Sequence, residues 1–295
     1  RKNVFSIYGL KSDYEYVVTF SDQRLEKISF KTDYVSCILN VRDFNAYGDG
    51  IHDDTLAIQT AINVCPKEGM VLIPEGNFLV NSLFLKSNIT LYLCNGSNII
   101  ANNNSYESAM YPDSINTYGV DKVIGTWEGE KERTYISVLN LYELINVNII
   151  GEGKIDAKGD FWWNEVKNKR LRCRPKLMYV AYSNNVNIQG IVFINSSSWT
   201  MHLFYSSYIN VIDVKVNNPK DSINTDACNP ESCDNVNIIG SYFSVGDDCI
   251  AIKSGKLDMA KNYYKECKNI NIRNCYMKDG HGAVVIGSEM SCGVR

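Results

Sequence analysis

The sequence predicts an all-β chain coiled into a parallel β-helix, and three observations carry that prediction. One phrase recurs as Asn146-Val147-Asn148-Ile149, Asn185-Val186-Asn187-Ile188, Asn235-Val236-Asn237-Ile238 and Asn269-Ile270-Asn271-Ile272. Tyr208-Ile209-Asn210-Val211 is a degenerate copy, and Asn88-Ile89-Thr90-Leu91 an earlier one. From 146 onward the copies lie 39, 23, 27 and 34 residues apart, and internal periods of about 20–50 residues mark a repeat architecture. Within each copy apolar and polar residues alternate with the strand period of two, as in Val186 and Ile188, then Val192 and Ile194 beyond Gly190. The shortest step of 23 residues is too small for a βαβ unit, which needs about 30. Short strands at that period are left with one arrangement, a coil whose rungs bury their inward side chains by stacking on their neighbours.

The remaining elements follow in order. Asp53-Asp54-Thr55 offers a helix N-cap, Ala57, Ile58, Ala61, Ile62 and Cys65 follow at helical spacing, and Pro66 stops the run. The turn-rich stretch 44–50 leads into it. A solenoid needs its first rung covered, so this helix is expected to cap the coil. The recurrent Asn residues are expected to stack as side-chain amide ladders. Residues 1–37 follow another pattern, with strands expected at Ile7-Tyr8-Gly9-Leu10, across 14–20 and across 28–32. They resemble the final strands of a fibronectin type III-like β-sandwich, with Leu10 and Tyr16 at its corner. The chain therefore divides into a remnant of that module (1–37) and a β-helix domain (38–295).

Composition sets limits. With 295 residues and a net charge of −3, nothing supports nucleic-acid binding, and no run approaches the 18 apolar residues of a membrane span. Ten cysteines include no Cys-x-x-Cys pair of a zinc site. Cys228 and Cys249, 21 residues apart, read as stacked core thiols, with a disulfide as the alternative. Asn88, Asn95, Asn103 and Asn195 sit in Asn-x-Ser/Thr triplets, near chance for so Asn-rich a chain. The chain starts at Arg1 and stops at Gly293-Val294-Arg295, within what would be the next rung, and is read as a fragment.

Chemistry concentrates in the last quarter. Asn224-Thr225-Asp226, Gly246-Asp247-Asp248 and Gly280-His281-Gly282 follow one another, with 21 residues from Asp226 to Asp247 and 33 from Asp248 to His281. At rung spacing, these would set three carboxylates and an imidazole side by side. Glycoside hydrolysis needs one carboxylic acid to protonate the leaving oxygen and one carboxylate to activate water or attack carbon. Neighbouring strands lie about 4.8 Å apart, which with lateral offset leaves room for a water and fits the inverting separation of about 6.5–9.5 Å. Crowded carboxylates should not all ionise, so at least one should hold a proton near neutral pH. On a regular strand Asp247 and Asp248 would face opposite ways, and both reach the cleft only if Gly246 permits a bulge or bend. The residues alone leave the acid and the base unassigned. Lys253 could face an acidic sugar, whereas His52 and His202 lack partners and are read as structural.

With these motifs in order, residues 41–295 resemble glycoside hydrolase family 28, the polygalacturonase family. The stretch Gly153-Lys154-Ile155-Asp156-Ala157-Lys158-Gly159 before Trp162-Trp163 matches it, as do Asp247-Asp248-Cys249-Ile250-Ala251-Ile252-Lys253-Ser254-Gly255 and Ile286-Gly287-Ser288. The resemblance implies a right-handed, pectate-lyase-like β-helix that hydrolyses α-1,4-galacturonosyl linkages of pectin with inversion. It makes Asp247 the general acid, Asp226 and Asp248 the holders of the water, and His281 a hydrogen-bond partner of the acid. Asn224, Lys253 and Gly282 would contact an acidic polysaccharide. No cofactor and no metal are expected, and the protein is expected to be a monomer. A secreted or periplasmic location is favoured over a cytoplasmic one. The insertion around 101–134 and the fibronectin-like piece resemble bacterial exo-acting members. Two departures stand out. Ala227 replaces the usual Gly after the first aspartate, and the family's Arg-x-Lys, expected about one rung after Gly-His-Gly, is missing. The alternatives are a rhamnogalacturonan hydrolase, a calcium-dependent pectate lyase and a non-catalytic β-helix such as an adhesin.

Overall fold

The computed structural model describes residues 4–295 except 23, 103–107, 118, 169, 170 and 172. The Asn103 triplet and part of the 101–134 insertion thus lie outside the described residues. Three parallel sheets stack as in a right-handed β-helix. One rung shows the principle. Asn184–Gln189 runs in the sheet built from the Asn phrases, Val192–Ile194 in a middle sheet, and Met201–Phe204 in a third, which we term the cleft sheet. Ser207–Ile212 then returns to the first sheet beside Asn184–Gln189. This circuit is the 23-residue period.

Register follows from the alternation. Val147, Val186, Ile209 and Val236 are successive partners, as are Ile149, Ile188, Val211 and Ile238. All eight are fully buried. A slip of one residue would turn each of these to solvent.

The structure also explains why the phrase begins with Asn. Asn88, Asn146, Asn185, Asn235 and Asn269 all have φ between +55° and +62°, the left-handed region that Asn tolerates best among residues bearing a Cβ. The second Asn of the phrase forms the expected ladder. Asn187 donates to Asn148 at 2.8 Å, Asn210 to Asn187 at 2.7 Å, Asn237 to Asn210 at 2.9 Å and Asn271 to Asn237 at 3.1 Å.

The helix Thr55–Val64 packs Ile58, Ala61 and Ile62 onto the first rungs. Its capping differs from expectation: Asp53 accepts from the Thr55 N–H at 2.8 Å, while Asp54 turns away to hold the Tyr47 and Gly48 N–H groups. Two further short helices, Asp160–Lys167 and Leu257–Asn262, were not foreseen. In the N-terminal stretch, Glu15–Val18 and Ile28–Lys31 pair as an antiparallel ribbon, and the Lys11 N–H donates to Tyr16 Oη at 2.8 Å. Ile7-Tyr8-Gly9-Leu10 is not a strand. It is held to the coil by side chains instead: Ser6 Oγ donates to Asp213 at 3.0 Å, and Tyr8 meets Tyr92 edge-on. The ten cysteines are free thiols, and Cys228 and Cys249 pack in the core of adjacent rungs. Among the described residues no helix is long and apolar enough to cross a membrane.

The insertion folds as small antiparallel ribbons: Met110–Tyr111 with Thr134–Tyr135, Ser114–Thr117 with Val120–Val123, and Thr126–Trp127 with Glu130–Lys131. They lie over the outer face of the cleft sheet. Val123 and Ile124 pack there with Tyr179, Ala181 and Phe204, and Tyr179 Oη donates to the Ile124 carbonyl at 2.9 Å.

Tyr208 tests the reading of the phrase, because it stands at φ +55° where the other copies carry Asn, with its side chain exposed. A left-handed residue bearing a Cβ costs about 1–2 kcal/mol. Tyr208→Asn is expected to stabilise the protein by about 0.5–1 kcal/mol in urea unfolding. An unchanged or lowered midpoint would count against this account of the repeat.

Candidate active site

Registry assembles the site. Cys228, Ile250 and Val284 are successive partners in the cleft sheet. Counting back two residues from each gives Asp226, Asp248 and Gly282, which therefore stack at the bend between the middle and cleft sheets. Asp247 and Asp248 lie in that bend, not on a strand, so the opposite-face constraint does not apply to them. Gly246 sits in this bend, as expected, and packing adds a second reason for the glycine. It has no left-handed φ, but a Cβ there would sit 2.1 Å from the Ser222 carbonyl oxygen of the preceding rung. Close approach requires the glycine. Gly280 and Gly282 are similar, with added Cβ atoms 2.7 Å from the Asp247 carbonyl oxygen and 2.2 Å from Val285 Cγ2. Ala227 takes the place of glycine without a positive φ and is fully buried.

The three carboxylates converge. One oxygen from each of Asp226, Asp247 and Asp248 lies within 4.8 Å of the others. That is tighter than the separation expected from rung spacing, although a nearest-oxygen distance is a lower bound on the distance between carboxyl centres. Asp226 is 3 % exposed. Burial first, and then the charge of Asp247, push its carboxyl up to about 7, against which Lys253 and the Asn229 amide at 3.1 Å act weakly. Among the described residues its other oxygen has no hydrogen-bond partner. Burial and Asp247 likewise raise Asp248. Asp247 is held at three points: His281 Nδ1 at 3.3 Å from Oδ1, the Asp248 N–H at 3.0 Å from the same oxygen, and the Asn224 amide at 3.4 Å from Oδ2. The three carboxylates thus crowd one small space. The same oxygens could hold a divalent cation.

These groups line a cleft of about 630 Å³ whose wall includes Trp199, Glu128, Lys253, Lys256 and Glu289. Lys253 reaches the cleft but is not a free cation: its ammonium is 2.6 Å from Glu289 and lies over the Trp199 ring at 4.9 Å. Beneath runs a layer of buried charge absent from the sequence reading. His202, read as lacking partners, sits fully buried with Nε2 2.8 Å from Glu231. Burial drives its imidazole well below the usual range and pushes Glu231 up to about 7. Lys176, lowered to about 8 by burial, donates to the Thr126 carbonyl at 2.8 Å amid Trp127, Tyr179 and Trp199. Arg174 donates to Asn224 Oδ1 at 2.6 Å. A register count exposes this layer. Two residues before Met178 and Met201, the next partners in the sheet, stand Lys176 and Trp199, in one column with Asp226. His52 remains on the surface, paired with Asp49 at 2.7 Å.

The raised Asp226 has a consequence for stability. Its unfolded pKa is about 3.9 and its folded value about 7, so between these the native state binds more protons and stability falls as pH rises. The stability of Asp226→Asn relative to wild type is expected to grow from pH 4 to pH 8. The bound is about 4 kcal/mol, at about 1.4 kcal/mol per unit. Urea unfolding across that range would contradict the assignment if the difference stayed flat.

Comparison with known proteins places this geometry. The chain is 32% identical over 263 residues to a probable polygalacturonase of Vitis vinifera, covering 86% of this chain and 52% of that protein. It is 27% identical to an exo-poly-alpha-D-galacturonosidase of Dickeya chrysanthemi, covering 97% of this chain and 54% of that one. The chain thus spans about half the length of these curated relatives. The family 28 exopolygalacturonase structure from Yersinia enterocolitica superposes with a TM-score of 0.79 at 22% identity, over 98% of this chain and 59% of that one, and so shares the fold. Residues 69–293 match the model of the glycosyl hydrolases family 28. That match spans every rung bearing Asp226, Asp247, Asp248 and His281, and the chain belongs to family 28 of the glycosyl hydrolases.

Proposed function

We propose that this chain carries the catalytic rungs of a polygalacturonase that hydrolyses α-1,4-galacturonosyl linkages in pectin. The observation that carries the reading is the convergence of three carboxylate oxygens within 4.8 Å in the cleft, with His281 Nδ1 3.3 Å from Asp247. Asp247 is the acid: His281 and Asn224 hold it at the cleft. It protonates the glycosidic oxygen as the C–O bond breaks. Asp226 and Asp248 hold a water that attacks the anomeric carbon from the opposite face, and one of them takes the water's proton. Burial raises Asp226 and Asp248 above the usual carboxylate range, so protons are retained beside the acid and acid–base chemistry is supported. Asn224, Gly282 and Lys253 border the sugar. Gly282 matters for its lack of a side chain, since a Cβ there would lie 3.1 Å from Asp248 Oδ1.

Exo action is favoured by the insertion, whose ribbons cover the outer face of the cleft sheet at Tyr179 and Phe204 and whose Glu128 lines the cleft. The cleft wall carries Glu128, Asp226, Asp247, Asp248 and Glu289 against Lys253 and Lys256. A polyanion bound there needs further cations, the role that the resemblance gives to an Arg-x-Lys pair. We read 1–37 as the end of a fibronectin-like module and 38–295 as the catalytic β-helix.

The test uses the full-length protein with polygalacturonate. Reducing ends, a short uniform product and inverted anomeric configuration are expected, without dependence on added metal. Asp247→Asn should lower kcat by about 10²–10⁴-fold. An unsaturated product abolished by chelator would instead establish a lyase. An early ladder of oligomers would overturn exo action, and retention of configuration would overturn the water-holding roles.

A further inference from the structure

We infer that Arg174 is a positioning residue for this reaction, acting through Asn224 on the orientation of Asp247; the inference rests on the hydrolase reading above. Arg174 is 1 % exposed and lies on the approach to Met178–Ala181. Its guanidinium donates to Asn224 Oδ1 at 2.6 Å, to the Ile223 carbonyl at 2.9 Å and to the Ser197 carbonyl at 3.4 Å. A guanidinium has donors only. The Asn224 side chain must therefore turn its carbonyl oxygen to Arg174, which leaves its NH2 for Asp247 Oδ2 at 3.4 Å. The choice of amide orientation, ordinarily a matter of assignment, is settled here by chemistry.

The backbone supports the same link. Asn224 stands at φ +54°, and Arg174 grips the carbonyl just before it, so the side chain and the turn that carries it are held by one planar group. Asp247 is thereby addressed on its two oxygens by different partners: Asn224 on Oδ2, and His281 with the Asp248 N–H on Oδ1. A carboxyl pinned on both sides cannot rotate away from the glycosidic oxygen. The guanidinium also lies 5.2 Å from the Trp127 ring centroid, which ties the insertion to the same anchor. Lysine would keep the charge, but a single ammonium cannot reproduce the planar fork across three carbonyl oxygens.

The test compares Arg174→Lys, Asn224→Ala and the double variant in the full-length protein on polygalacturonate. Each single change is expected to lower kcat by about 10- to 100-fold, the scale of a misplaced catalytic group, with KM within about threefold. The double variant should be no slower than the worse single one. A folded R174K with wild-type kcat, losses that multiply in the double variant, or a change confined to KM would each overturn the inference. Should R174K fail to fold, Asn224→Asp decides the matter: it keeps the acceptor for Arg174 and removes the donor to Asp247. A kcat loss like that of N224A is expected, and wild-type kcat overturns the link. Crystal structures of the free wild type and R174K read the same contact without substrate. The Asn224–Asp247 separation should open beyond 3.5 Å, and an unchanged contact refutes the link. If wild type leaves polygalacturonate intact, the hydrolase reading fails on its own, and the structural comparison still judges Arg174.

Discussion

Parallel register between rungs is the constraint from which the rest of this molecule follows. Because side chains on a strand alternate, the pairing of Val147, Val186, Ile209 and Val236 places one file of residues in the core. It also places the bend residues of the cleft sheet in columns. The lock is hydrophobic along the strands and conformational at their ends, where each phrase opens in the left-handed region. Amide ladders run along the same axis and add hydrogen bonds that only the correct register can make. None of the three carboxylates belongs to this ladder, yet the separation of Asp226 from Asp248 is set by it.

On that frame the site is built as a stack of opposing charge. Three acids stand at the groove, and Arg174, Lys176 and Lys253 stand behind them, almost wholly removed from solvent. Isolated charges in such a place would be costly. Each of these cations instead meets carbonyl oxygens, a carboxylate or the faces of aromatic rings. Lys253 is paired with Glu289, Lys176 is enclosed by three rings, and Arg174 is spread over three carbonyl acceptors. Buried Asp226 is left short of partners by comparison, with one oxygen unbonded among the described residues. An under-satisfied, proton-retaining carboxyl is a poor contribution to stability and a good starting point for acid–base chemistry. The insertion adds the third layer, since Thr126 and Trp127 close over Lys176 and Arg174 and exclude water from that side.

Much of this was legible in the residues. Alternation and the recurring Asn phrase announced a stacked coil, because a period of two within a short repeat has few ways to bury its apolar face. The three aspartates and His281 were legible because their motifs recur at rung spacing, and a coil turns such spacing into adjacency. Even the terminal helix was readable from its helical period and Pro66, although the division of labour between Asp53 and Asp54 was not. Misreadings arose where a local rule met a tertiary neighbour. Gly246 was read correctly for its bend, but its contact with Ser222 stayed hidden. Ile7-Tyr8-Gly9-Leu10 looked like a strand and is instead a segment tied down by Ser6 and Tyr8. Lys253 looked like a free cation and is neutralised by Glu289, 36 residues further along.

The sequence by itself determined the coil, its register and the identity of the acidic trio, since all three depend on periodic patterns that each rung repeats. Only the tertiary structure decided the roles of Arg174, Lys176, His202 and Glu231. Their significance lies in lateral neighbours brought from other rungs and from the insertion, and loop lengths that vary from rung to rung hide those neighbours from any linear count. It also decided which carboxyls are raised, because that depends on how far folding removes Asp226 and Asp248 from water.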